Sequence, residues 1–143
     1  MYSMKEACHE VGMTYEALKF YCNEGLVPNV KRDHNNRRVF EERDINWIKG
    51  LTCLKDCGMS IQEMKVYLAL CLQGEVSIPA RKVILAQKRE ELLQRIADLN
   101  ESVSYIDSKQ QFYDDVLSGK MKYVSNLIQT NENDAGNIAH YSG

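Results

Sequence analysis

Between Pro79 and Gly119 nothing in the sequence interrupts a helix: there is no glycine and no further proline. Within that stretch Leu85, Leu92, Ile96, Leu99, Val103, Ile106, Tyr113 and Leu117 follow alternating steps of three and four, with Arg89 and Gln110 at the two polar positions of the same series. Such a stripe is a coiled-coil seam carried through more than four heptads. About forty residues rising about 1.5 Å each make a rod of about 60 Å. A lone helix would leave the stripe in water, so it needs a partner. The rest of the chain is too small to cover it, and an antiparallel coiled coil with a second copy is expected over folding back. The seam predicts a homodimer.

The other residues make one small helical domain. An apolar fraction of 44% over 143 residues fills a core and excludes wholesale disorder. No apolar run is long enough to span a membrane, and Met1-Tyr2-Ser3-Met4-Lys5-Glu6 lacks a charged-then-apolar leader pattern. Five cysteines at irregular spacing read as reduced thiols, so the expected location is cytoplasmic.

Short helices and turns fill the first seventy residues. Ser3 with Glu6 forms a capping-box spacing ahead of Ala7, Cys8 and Val11, and Gly12 ends that helix. Thr14 caps the next, which carries Leu18, Phe20 and Tyr21 and stops at Gly25. A gap of about three residues between them is a helix-turn-helix length. Leu26-Val27 and Val39-Phe40 flank a basic turn containing Asn35-Asn36, and because Asn tolerates positive φ this reads as a two-stranded hairpin, a wing. A third helix carries Ile45, Ile48, Leu51 and Leu54, with Trp47 beside them, up to Gly58. Ser60 and Glu63 open a fourth, with Met64, Tyr67, Leu68 and Cys71. Pro79 suits the first turn of the long helix. After Gly119, Met121, Tyr123, Val124, Leu127 and Ile128 suggest one more short amphipathic helix, and Asn131 to Gly143 reads as disordered. The division is 1–72 for the winged-helix domain, 73–78 for a connector, 79–118 for the dimerisation helix and 119–143 for a tail.

A formal net charge of −2 argues against nucleic acid only on average. Lys31-Arg32-Asp33-His34-Asn35-Asn36-Arg37-Arg38 concentrates four permanent positive charges against one negative. Counterion release on a duplex responds to such local charge. Taken alone, the cluster reads as a solvated basic turn.

Ordered motifs carry the argument further. Thr14-Tyr15-Glu16-Ala17-Leu18-Lys19-Phe20-Tyr21, then Glu24-Gly25-Leu26-Val27-Pro28, resembles the recognition-helix signature of the MerR family of bacterial transcription regulators. Arg38-Val39-Phe40 with Glu42-Arg43-Asp44-Ile45 resembles the family's wing and third-helix start, and Leu54 to Ser60 its next joint. The resemblance covers residues 1 to about 118. It implies a mainly α fold, a winged helix-turn-helix followed by the dimerisation helix, that binds double-stranded promoter DNA and distorts it so that RNA polymerase, an indirect partner, can use the promoter. In that picture Thr14, Tyr15 and Glu16 face base edges, with Lys19 and Tyr21 further along reaching phosphates or bases. Lys31, Arg32, Arg37 and Arg38 on the wing straddle the backbone. Phe20 is expected to pack between helices. The chain departs from the family pattern at Asn36-Arg37, where Gly-Tyr is usual, at Lys19, where Arg is usual, and at Cys22, where an acid is common.

Effector sensing narrows by elimination. No cysteine lies beyond Cys71, so the cysteine loop of metal-sensing members and an iron–sulfur cluster are absent, and the residues after the long helix cannot build a large ligand domain. Residues 48–59 and 74–84 resemble the aldehyde-responsive branch, whose reactive cysteine falls at Cys53. Lys49 and Lys55 favour its thiolate and Asp56 opposes it; a buried small hydrophobe is the competing reading. Cys53 and Cys57, one turn apart, are too widely spaced for a disulfide without unwinding, and neither His9 nor His34 joins them in a metal-ligand spacing. Cys8, Cys22 and Cys71 read as packing residues. The expectation is therefore no metal, no cofactor and no catalysis, since no phosphate loop, H-E-x-x-H, C-x-x-C or nucleophile elbow is present. An oxidant, a small ligand or a metal as effector, or a helical dimeric interaction protein with no DNA role, are the alternatives.

Overall fold

The computed structural model describes residues 1–130, so the expectation of disorder from Asn131 to Gly143 lies outside them. The order is β1 (Tyr2–Ser3), α1 (Met4–Val11), α2 (Tyr15–Asn23), β2 (Lys31–Arg32), β3 (Arg38–Phe40), α3 (Glu42–Asp56), α4 (Ile61–Leu72), a 3-10 turn (Glu75–Ser77) and α5 (Ile78–Leu117). Contacts divide the chain into a unit from Met1 to Leu92 and a second from Leu93 onward.

In the first unit local chemistry starts and stops each helix. The Ser3 hydroxyl accepts the Glu6 N–H at 3.1 Å while the Glu6 carboxylate accepts the Ser3 N–H at 2.9 Å. Ser60 and Glu63 repeat the exchange at α4. These reciprocal caps satisfy donors that a helix start otherwise leaves open. At the end of α2 the chain turns at Gly25, φ 78°, and Leu26 donates its N–H to the Tyr21 carbonyl at 3.0 Å. That left-handed stop drops Leu26 and Val27 into the core. There they join Ala7, Leu18, Phe40, Ile45, Ile48, Leu51 and Met64, all essentially inaccessible to solvent. Trp47, half-buried, donates its indole N–H to the Leu26 carbonyl at 2.7 Å and so ties α3 to the segment before the wing.

The wing departs from the expected two-stranded hairpin in two ways. It has three strands in the order β1-β3-β2, with Tyr2 opposite Phe40 and Ser3 opposite Val39. Its outer strand is Lys31–Arg32, part of the basic run itself, while Leu26 and Val27 are core residues outside the sheet. Two-residue strands have no periodicity to read, and β1 is supplied from the far end of the unit. At the tip Asn36 adopts φ 60°, the left-handed position that closes a three-residue hairpin loop. This is where the resembled family has glycine, and asparagine is the side chain that tolerates the conformation best. Asn36→Gly is therefore expected to leave the melting temperature nearly unchanged. Asn36→Val, β-branched at positive φ, should cost on the order of 1–3 kcal/mol in thermal unfolding.

At the joint between α4 and α5 the Ser77 hydroxyl is buried. It contacts the Leu70 and Gly74 carbonyl oxygens and accepts the Arg81 Nε–H at 2.9 Å. Lys88 of α5 bridges Glu63 and Glu91, and its ammonium with the Ser60 N–H holds the Glu63 carboxyl below the ordinary carboxylate range.

From Leu93 onward α5 continues without a break to Leu117, and the seam residues on it lie open: Leu99 is 66% exposed, Ile106 57% and Leu117 86%. The short helix expected from Met121 to Ile128 is not formed. After Gly119 the chain runs as bends and irregular backbone to residue 130. The Ser125 hydroxyl takes the N–H groups of Leu127 and Ile128 at 3.0 and 3.3 Å, a local bond that competes with helix. Val124 alone of the five apolar residues there is buried.

Candidate nucleic-acid interface

Helix α2 begins at Thr14, whose side-chain oxygen accepts the Ala17 N–H at 3.1 Å. The cap leaves the hydroxyl proton free to donate, and the helix start adds the partial positive charge that attracts anions. Tyr15 is 53% exposed, and the Lys19 ammonium stands 6.0 Å from its ring centroid, within cation–π range. Glu16 is exposed beside them.

An open cleft of about 620 Å³ joins this helix to the wing. Tyr15 lines it together with Arg32, Arg37 and Arg38, so four of the residues expected to meet DNA face one concavity. Lys5 and Asn36 line it too, and sequence reasoning passed over both. Lys5 left a signal: it stands in the first turn of α1, where a cation opposes the helix dipole, an arrangement that folding alone does not favour.

The wing cations are held differently. Arg37 is exposed, and its guanidinium has no hydrogen-bond partner among the described residues. Arg38, half-buried, donates to the Asn23 side-chain oxygen at 2.6 Å, which fastens the wing to the end of α2. Arg32 donates to the Asn36 carbonyl at 2.9 Å. Lys31 pairs with Glu41 at 2.9 Å outside the cleft, and Arg43 pairs with the same carboxylate at 3.0 Å, so part of the positive charge counted in the sequence is answered within the fold.

Phe20, expected to pack between helices, is the exposed ring of the pair, and Tyr21 is the buried one. Tyr21 is buried in the core at 4% exposure, and burial, with the Asp56 charge nearby, pushes its phenol above the ordinary range. Phe20 is 46% exposed. The Tyr21 ring packs in the core, while its hydroxyl has no hydrogen-bond partner among the described residues and is not sealed from solvent. The signal was present: Leu18, Tyr21 and Cys22 are spaced i, i+3, i+4 and share a face, whereas Phe20 is two residues from Leu18 and points away from it.

The thiols also separate. Cys8 and Cys22 pack against the core, and burial pushes both thiols up from their ordinary value, away from the reactive thiolate. Cys53 is exposed on α3 in the single chain; Cys57, one turn on, is half-buried and donates its N–H to the Cys53 carbonyl at 3.0 Å. Lys49, Lys55 and Asp56 are exposed around them. Cys71, half-buried, borders a smaller cavity of about 210 Å³ with Asp44, Trp47, Leu68 and Leu72. Among the described residues no three His, Cys, Asp or Glu side chains gather as a metal site would require.

Residues 2–71 match the family model described as MerR HTH family regulatory protein, and residues 47–108 the one described as MerR, DNA binding. An HTH-type transcriptional regulator of Haemophilus influenzae is 32% identical over 132 residues, 92% of this chain and 97% of that protein. The HTH-type transcriptional regulator AdhR of Bacillus subtilis is 34% identical over 92 residues, 64% of this chain and 66% of its own length. Among solved structures, HiNmlR, a MerR family regulator lacking the sensor domain and crystallised bound to promoter DNA, aligns with a TM-score of 0.70 at 30% identity. That alignment covers 82% of this chain and 89% of HiNmlR.

Proposed function

The chain belongs to the MerR family of HTH transcription regulators, and from that premise we propose that it binds promoter DNA as a homodimer, with the start of α2 in the major groove and the wing on the adjoining backbone. It is a DNA-binding regulator of the MerR type rather than an enzyme. The observation that carries the DNA reading is the shared cleft, in which Tyr15 of α2 and Arg32, Arg37 and Arg38 of the wing open to one side. Thr14, Glu16 and Lys19 stand on the same exposed helix start, and Lys5 joins them from α1. The dimer reading rests on the open apolar seam of α5. We assign residues 1–72 to DNA binding, 73–78 to a connector and 79–118 to dimerisation.

Two recognition helices in a symmetric dimer meet half-sites about 34–36 Å apart on one face of the duplex. Bending and untwisting the promoter between them costs on the order of 1–6 kcal/mol, so an effector acts by favouring the protein conformation that distorts DNA. Polymerase is then an indirect partner that meets altered DNA. Among the described residues no helix is long and apolar enough to cross a membrane, and a bacterial transcription regulator works in the cytoplasm. Fluorescence anisotropy with a duplex from the region upstream of its own gene tests the reading. Saturable binding by a dimer supports it, and a dimer with no affinity for any duplex leaves a helical interaction protein.

We propose further that Cys53 senses a reactive aldehyde. Its exposure supports this, as does the similarity to AdhR as a relative. The thiolate adds to the carbonyl carbon, the carbon–oxygen π pair moves to oxygen, and oxygen takes a proton from water, giving a hemithioacetal. In transcription assays with purified polymerase, an aldehyde is expected to change promoter output with wild type and with Cys57→Ser, and not with Cys53→Ser. A response that survives in Cys53→Ser would discard this thiol and turn attention to a small apolar ligand in the 210 Å³ cavity beside Trp47 and Leu72.

A further inference from the structure

An acidic residue in the middle of a basic wing is an electrostatic contradiction, because phosphates repel it. Asp33 is the one negative charge between Lys31 and Arg38. We propose that Asp33 is a positioning residue for DNA binding: its carboxylate acts inward, fixing the backbone of the loop from which Arg37 and Arg32 reach the duplex. This rests on the DNA-binding reading above.

The geometry converges on this one side chain. Its Oδ1 accepts the Asn35 N–H at 2.9 Å and the Arg37 N–H at 3.0 Å. Its own backbone N–H donates to the Arg37 carbonyl at 2.9 Å, and its carbonyl accepts the Asn36 N–H at 2.9 Å. Between these bonds sit only His34, Asn35 and Asn36, with Asn36 at φ 60°. The Arg32 guanidinium closes the far side on the Asn36 carbonyl. Without the carboxylate, two loop N–H groups lose their acceptor and the left-handed residue loses its restraint. The Arg37 N–H foremost, then the Asn35 N–H, and the nearby His34 and Arg37 side chains hold the Asp33 carboxyl below its ordinary range, so it is ionised where the wing would meet DNA.

Charge and position make opposite predictions. If Asp33 were only a solvated charge, removing it would tighten binding to any duplex. As a positioning residue, Asp33→Ala weakens binding, although it makes the wing more positive. Asp33→Asn keeps an oxygen acceptor at the same atom and deletes the charge, so it restores binding to at least the wild-type level. Anisotropy is read with a labelled mixed-sequence duplex of about 30 base pairs at low salt, where phosphate contacts dominate. The expected result is a Kd roughly five- to tenfold higher for Asp33→Ala, and equal or lower for Asp33→Asn. Amide exchange should show the Asn35 and Arg37 N–H groups losing protection in the alanine variant alone.

An alanine variant that binds as well as or better than wild type overturns the proposal, as does an asparagine variant as weak as the alanine one. Arg37→Ala separates the two readings. If it weakens binding while Asp33→Ala does not, positioning by Asp33 fails and DNA binding stands. If wild type itself does not bind the duplex, the DNA reading falls and this proposal with it.

Discussion

Replacing Leu99 and Ile106 together with aspartate is expected to turn the dimer into a monomer at micromolar concentration. Both side chains are more than half exposed in the single chain, on the same stripe of α5. Covering such residues with those of a second copy stabilises by about 1.5–3 kcal/mol per side chain. Two substitutions place four carboxylates in a symmetric interface, and an unpaired buried charge costs several kcal/mol even after relaxation. The dimer Kd should rise by at least about a thousandfold, about 4 kcal/mol. Sedimentation equilibrium reads it directly. Ser108→Asp, exposed and two residues round the helix from Ile106, is the matched control and should leave the dimer intact. A double variant that stays dimeric would mean that the seam is not the interface.

The second large effect concerns the wing. Arg37→Ala with Arg38→Ala should weaken duplex binding by about a hundredfold or more near physiological salt while leaving the dimer in place. The two residues contribute unequally. Among the described residues the Arg37 guanidinium has no hydrogen bond to give up, so its phosphate contact comes at little cost, whereas Arg38 is already bonded to Asn23 at 2.6 Å. Arg37→Ala alone should therefore account for most of the loss. Each phosphate contact removed lowers the slope of log K against log salt by about 0.9, and a dimer presents each wing twice. The double variant is expected to flatten that slope by up to about 3.6. A weaker complex with an unchanged slope would place these arginines away from the backbone.

Much of this molecule was legible beforehand because helices are written in short-range spacing. The Ser3/Glu6 and Ser60/Glu63 pairs announced where α1 and α4 begin, since a capping box needs only residues three apart. Gly25 announced where α2 ends, because it takes a conformation that other residues resist. The burial of the Tyr21 ring was written there too, in its spacing from Leu18. The stretch from Met121 to Ile128 shows the opposite limit. Five apolar residues in a helical rhythm are no helix when a serine hydroxyl answers the backbone first and only Val124 finds burial.

By itself the sequence determined what depends on neighbours along the chain: the helices, their caps, the uninterrupted forty-residue α5 and the apolar stripe that runs along it. Only the tertiary structure decided which distant groups meet. Tyr2 and Ser3 complete a sheet with Val39 and Phe40, Lys5 enters the cleft of the wing arginines, and Glu41 neutralises Lys31. The physical reason is the range of the interactions. A helical bond spans four residues and leaves a period to read, whereas a two-residue strand, a salt bridge or a cleft joins positions whose separation carries no pattern until the core brings them together.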